Sequence, residues 1–209
     1  HAVYPPLYIE KLIRILNESD DDVANVGGSI ITKPLHENLV AISISFVLSS
    51  KFGVGNSSFR TGIPKKTIEV DTVPFGCFKK NALIKVGMYN ELEIRGEDLD
   101  LNTRLIKAGY KIILSPEITS IYYSRDNYLS FIKQAFKNGY TVFAEFRGNN
   151  SYHKIRHYIP LAFIIFQIFF FLSLGVKDFY IVAKFLLLIK ILYILLCLFF
   201  SINLVLKEK

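Results

Sequence analysis

Three carboxylates crowd the stretch Arg95-Gly96-Glu97-Asp98-Leu99-Asp100-Leu101-Asn102-Thr103-Arg104, just after a glycine and at the start of an apolar-periodic segment. The spacing predicts a helix over 97–108 closed by Gly109, with Asp98 in its first turn. Unpaired backbone N–H groups and the helix dipole favour an ionised carboxylate at that place. A carboxylate held there can take a proton from a hydroxyl as a general base. The same residues also suit a helix start that does no chemistry, because acidic side chains complement the dipole whatever the function.

The flanking residues give this stretch a context. Upstream lie Val70-Asp71-Thr72-Val73-Pro74-Phe75-Gly76-Cys77-Phe78-Lys79-Lys80 and then Val86-Gly87-Met88-Tyr89-Asn90-Glu91; downstream lies Ala108-Gly109-Tyr110. This order resembles the acceptor half of family 2 glycosyltransferases, with their run E-D-x-D-L-x-x-R-L-x-x-A-G-Y. Lys51-Phe52-Gly53-Val54-Gly55-Asn56-Ser57-Ser58-Phe59-Arg60 is similar to a stretch in the membrane-bound, succinoglycan-type members. The resemblance covers residues 1–126 and implies the acceptor-side half of a GT-A domain, an α/β, Rossmann-like fold.

For individual residues the resemblance implies the following. Asp98 is the base and Glu97 supports it as a second catalytic carboxylate. Asp100, Gly76 and Cys77 bind the acceptor. His1, just before Val3-Tyr4-Pro5-Pro6, stands where the family ends an Asp-x-His metal motif, so it is expected to ligate a divalent cation, Mg2+ or Mn2+. An arbitrary terminal residue is the other reading of His1. On the first reading the chain is an N-terminally truncated fragment, inactive alone, without the nucleotide-binding half. Gln134-Ala135-Phe136-Lys137-Asn138 matches the processive members' Gln-x-x-Arg-Trp motif only at Gln134, which favours single-sugar addition.

The elements that must position these residues follow from patterning. Pro5-Pro6 followed by Leu7, Ile9, Leu12, Ile13 and Leu16 predicts an amphipathic helix. Asp20-Asp21-Asp22 reads as a solvated turn. Residues 25–31 read as a strand entered through Gly27-Gly28, and 37–50 as a helix. Residues 51–60 read as a glycine-rich loop, either an active-site loop with Arg60 near the donor diphosphate or a flexible connector. Alternation over 68–78 predicts a strand; 81–86 reads as a short helix; 111–114 and 118–123 read as two strands around Ser115-Pro116. At Gly76 the missing side chain would let a substrate approach the backbone.

Composition then separates the chain into two kinds of surface. It is 51% hydrophobic with mean hydropathy +0.33, too apolar for an ordinary soluble domain. Residues 1–126 are electrically neutral, whereas 127–209 hold ten basic and three acidic residues and so carry the whole net charge of +7. Because the basic excess coincides with the apolar region, it points to anionic lipid headgroups and not to nucleic acid. Residues 127–157 read as an amphipathic interfacial helix, broken at Gly139, with packing on the domain as the alternative. Residues 158–206 read as a transmembrane hairpin of two helices, 158–174 and 179–206, with Lys190 deep in the second. Two isolated cysteines, Cys77 and Cys197, suggest no disulfide and suit a reducing cytoplasmic face.

Together these readings predict a multi-pass cell-membrane protein with its catalytic domain in the cytoplasm. It would be an inverting transferase moving a sugar from a nucleotide-diphosphate donor to a lipid-linked or growing glycan acceptor. A polyprenyl-phosphate sugar synthase and a non-enzymatic membrane scaffold are the alternatives.

Overall fold

The chain enters on a short edge strand, β1 (Ala2–Val3), and turns at Pro5-Pro6 into α1 (Tyr8–Glu18). The computed structural model describes residues 2–55, 57–91, 96–145 and 155–207. α1 buries Tyr8, Leu12, Ile15 and Leu16, the single stripe expected of an amphipathic helix on a core. The triple-aspartate turn follows; Lys111 pairs with Asp22 at 2.6 Å, and the Lys79 ammonium donates to the Asp20 carbonyl. β2 (Val23–Lys33) is next, buried continuously over Val23–Ile30. α2 (Leu39–Ser49) starts at Asn38, whose side chain accepts from the Ala41 N–H at 2.8 Å. Such a cap is typically worth about 1 kcal/mol.

Four expectations are corrected along the rest of this unit. Residues 51–60 do not begin as a loop: α3 (Lys51–Val54) forms a helical turn, capped where the Phe52 N–H donates to the Ser50 hydroxyl. Residues 68–78 form no single strand. They give β3 (Ile68–Glu69) and β4 (Cys77–Phe78), separated by a loop that includes Pro74. Proline lacks the N–H that a ladder needs, and Phe75 at φ 51° leaves the extended region altogether. After α4 (Lys80–Lys85) and α5 (Glu97–Lys107), residues 111–123 form one strand, β5 (Lys111–Tyr123), where two were expected. Ser115-Pro116 makes a bulge within it: Gly28 pairs with Ser115, but Ser29 pairs with Thr119. α6 (Tyr128–Glu145) runs unbroken through Gly139.

The sheet has the order β1-β5-β2-β4, with β3 also on β5. Its centre, β2 against β5, is parallel; the shorter strands attach antiparallel. α1 covers one face through a cluster with Val26, Ile113 and Ile118. On the other, α4 and α5 pack Ala82, Leu101 and Leu105 against Ala24. Gly27 lets the 70–76 loop lie close on β2, since a Cβ there would sit 2.5 Å from the Val73 Cβ. This mixed α/β unit with a parallel core fits a Rossmann-like glycosyltransferase.

Residues 1–152 form one compact unit and 153–209 a second. In the second, α7 (Ile155–Leu174), a 3₁₀ turn (Lys177–Phe179) and α8 (Tyr180–Lys207) pack as a helical hairpin. The Phe163 and Tyr193 rings meet across it at 5.2 Å. The expectation of two membrane spans is corrected. Among the described residues only Lys177–Leu204 is long and apolar enough to cross a bilayer. The apolar run Tyr158–Leu174 is shorter. At 1.5 Å per residue its 17 residues reach about 26 Å, short of a hydrocarbon core of about 30 Å.

Candidate active site

α5 begins at Gly96, whose φ of 84° is a left-handed turn that glycine enters without a steric penalty. Glu97, Asp98 and Asp100 then fall in the first turn, as the spacing predicts. Asp98 reaches solvent, and the Tyr89 hydroxyl donates to its Oδ1 over a long 3.4 Å. Partial burial of the carboxyl, and then the negative charge of Glu97, raise the Asp98 pKa; the Tyr89 hydrogen bond opposes them. Tyr89 is raised in turn by burial and by Asp98. The result is a carboxylate made more basic than usual beside a phenol that stays protonated.

Asp100 is placed differently from the substrate-binding role expected of it. It is 2% exposed, and its Oδ2 accepts from Arg104 Nε at 2.8 Å and lies 2.7 Å from Arg104 Nη2. The guanidinium also donates to the carbonyls of Val86 and Met88. Met88 sits at φ 63°, a left-handed conformation that costs an ordinary side chain energy. Asp100 and Arg104 thus clamp the strained turn that presents Tyr89 to Asp98. Composition gives no hint of this clamp, but the i, i+4 spacing of Asp100 and Arg104 could have disclosed it.

A second buried polar chain ties α5 to the sheet. Asn25 Nδ2 donates to Asn102 Oδ1 at 2.9 Å, and Asn102 Nδ2 donates to the Thr72 hydroxyl at 2.9 Å. Both asparagines are fully buried. They hold β2, the 70–76 loop and α5 in one register. Nothing in the pattern at Asn25 or Asn102 marks them as a pair, because the contact joins residues 77 positions apart.

At Gly76 a Cβ would collide with Asn25 Oδ1, so the fold itself calls for glycine there. Cys77 packs its half-buried side chain against the α1 cluster, and burial pushes its thiol up. Arg60 stacks on Phe59 and Tyr122, its centre 5.4 and 5.2 Å from the rings, while Nη1 is buried without a hydrogen-bond partner. Burial lowers the Arg60 pKa. His1, the expected metal ligand, lies outside the described residues. Among the described residues no three His, Cys, Asp or Glu side chains group to hold a metal ion.

The α/β unit with a carboxylate at the head of α5 is the framework on which the sequence comparisons bear. No family model matches the chain. It is 27% identical over 164 residues to the succinoglycan biosynthesis protein ExoA of Rhizobium meliloti (strain 1021), covering 78% of this chain. It is 32% identical over 132 residues, 63% of this chain, to a protein of Methanococcus voltae. That relative is a dolichyl N-acetyl-alpha-D-glucosaminyl phosphate 3-beta-D-2,3-diacetamido-2,3-dideoxy-beta-D-glucuronosyltransferase. The chain spans 47% and 39% of these two relatives. Together they support a glycosyltransferase family for this chain.

Proposed function

We propose that this chain is the acceptor-side part of a membrane-attached, inverting glycosyltransferase, moving a sugar from a nucleotide-diphosphate donor to a lipid-linked or growing glycan. The observation that carries the reading is Asp98, a solvent-reaching carboxylate of raised basicity fixed at a helix start and touched by Tyr89. The acceptor hydroxyl proton passes to Asp98 as the oxygen attacks the anomeric carbon. The bond from that carbon to the diphosphate breaks with its electron pair leaving on the nucleotide, and one displacement inverts the centre. Arg60, a cation with one unpaired buried nitrogen, is a candidate to face the diphosphate. Glu97 sustains the basicity of Asp98 by its charge. The name of the Methanococcus relative describes a dolichyl-phosphate-linked sugar as acceptor, which supports a lipid-linked acceptor here.

Asp98→Asn in the full-length protein tests it, because the amide keeps size and removes the proton acceptor. A general base contributes about 10²–10⁴-fold, so transfer from a panel of nucleotide sugars should fall by that factor while donor binding persists. Near-normal transfer by Asp98→Asn would remove Asp98 as the base.

A further inference from the structure

We propose that Tyr4 and Phe75 form an open aromatic corner that binds a pyranose ring of the acceptor, a reading that rests on the proposed glycosyltransferase activity. Both side chains are large and apolar yet stand in solvent, Tyr4 45% and Phe75 41% exposed. Their rings lie 5.3 Å apart at 90°, so they make a floor and a wall. The C–H face of a pyranose is weakly positive and meets the negative face of an aromatic ring favourably, while its hydroxyls stay hydrated at the rim.

The corner is built, not incidental. Phe75 is held at φ 51°, a conformation a bulky side chain adopts only where its surroundings enforce it. The enforcing group is Tyr8, whose 8%-exposed side chain donates its hydroxyl to the Phe75 carbonyl at 3.1 Å. Burial pushes the Tyr8 pKa up to about 12, so this donor keeps its proton throughout the physiological range. Tyr8 also meets the Tyr4 ring at 4.8 Å and thereby fixes both walls. On the other side Gly76 is pressed against Asn25, so the backbone carrying Phe75 is gripped from both directions. Two residues beyond Gly76, the Phe78 ring meets Tyr89 at 6.3 Å, and Tyr89 donates to Asp98. One run of chain therefore carries the corner and touches the residue that holds the carboxylate.

Saturation-transfer NMR on the full-length protein in a sugar-free detergent tests this, with cellobiose and uridine monophosphate as the probes. Cellobiose ring C–H signals should appear with wild type and vanish in Tyr4→Ala and Phe75→Ala, while the nucleotide signals persist. Phe75→Gly is the control for folding: glycine accepts the left-handed backbone, so it should melt no lower than wild type and still lose the sugar signal. In a transfer assay each variant should raise the acceptor KM roughly tenfold and leave the donor KM unchanged. The proposal is overturned by a wild type that shows no cellobiose saturation, by a sugar signal retained in Phe75→Gly, or by loss of the nucleotide signal in its place. A wild type that binds cellobiose through this corner but transfers no sugar would sink the activity and leave the subsite standing.

Discussion

Asp98 and Asp100 are two residues apart in one helical turn and do opposite things. About 200° of rotation separates them, which turns one to solvent and the other into the fold. Asp98 carries a raised pKa, so the folded state takes up a proton that the unfolded chain does not hold. Stability therefore falls as pH rises from the ordinary aspartate pKa through the raised one, and ionised Asp98 is a cost at neutral pH. Asp98→Asn should then lower transfer by that same factor of about 10²–10⁴ while leaving the melting temperature at pH 7 unchanged or higher; a clear fall in melting temperature would contradict this balance. Tyr89→Phe tests the opposing contribution. Without the donated hydrogen bond the Asp98 pKa climbs further, so the acid limb of the kcat/KM profile should move to higher pH. An unmoved limb would mean the long Tyr89 contact does nothing.

At the scale of elements, what a short window of sequence could disclose was the helix starts. Gly96 before three acidic residues placed α5, and the apolar spacing after Pro5-Pro6 placed α1. What it could not disclose was long-range pairing. Asn25, Asn102 and Thr72 meet only after β2, the 70–76 loop and α5 have assembled, and that contact also explains why Gly76 is glycine. The alternation over 68–78 misled for a local reason: Ile68 and Val70 keep the strand period, but the strand ends at Glu69 and the backbone turns at Pro74 and Phe75 before β4 begins. The Asp100–Arg104 clamp supplies the prediction proper to this scale. Arg104→Ala leaves a 2%-exposed carboxylate unpaired and frees the Val86 and Met88 carbonyls. Removing one partner of a buried pair costs roughly 3–5 kcal/mol; Arg104 is partly exposed, so about 3 kcal/mol is expected from denaturant unfolding. A loss under about 1 kcal/mol, typical of a surface pair, would contradict the clamp. α6 makes a separate case, because Tyr128, Ile132, Phe136 and Tyr140 recur every fourth residue and are all exposed. Phe136→Asp should weaken binding of a 127–157 peptide to anionic vesicles, measured by co-sedimentation; equal binding would favour a role for α6 in packing on protein.

Across the whole molecule the basic excess falls mostly on the apolar unit: residues 1–152 hold 18 basic and 16 acidic residues, residues 153–209 seven and two. The first unit carries the sheet and the carboxylates, while the apolar hairpin carries, among the described residues, the one span-length helix and a cation within it. An ammonium inside a spanning segment is expensive unless the neighbouring helix satisfies it. Here Lys190 Nζ donates to Gln167 Oε1 at 3.1 Å and lies 4.7 and 5.0 Å from the Phe170 and Phe171 ring centres. All three of these groups come from α7, so the cation ties the shorter helix to the span. Gln167→Leu should therefore loosen the hairpin, and adding Lys190→Leu should recover most of the loss, because no unpaired charge then remains. Interhelical hydrogen bonds in membranes contribute about 0.6–2 kcal/mol, which sets the expected coupling in a double-mutant cycle of detergent unfolding. If the two losses simply add, Lys190 is not held by Gln167, and the cation must be satisfied by lipid or water at the interface.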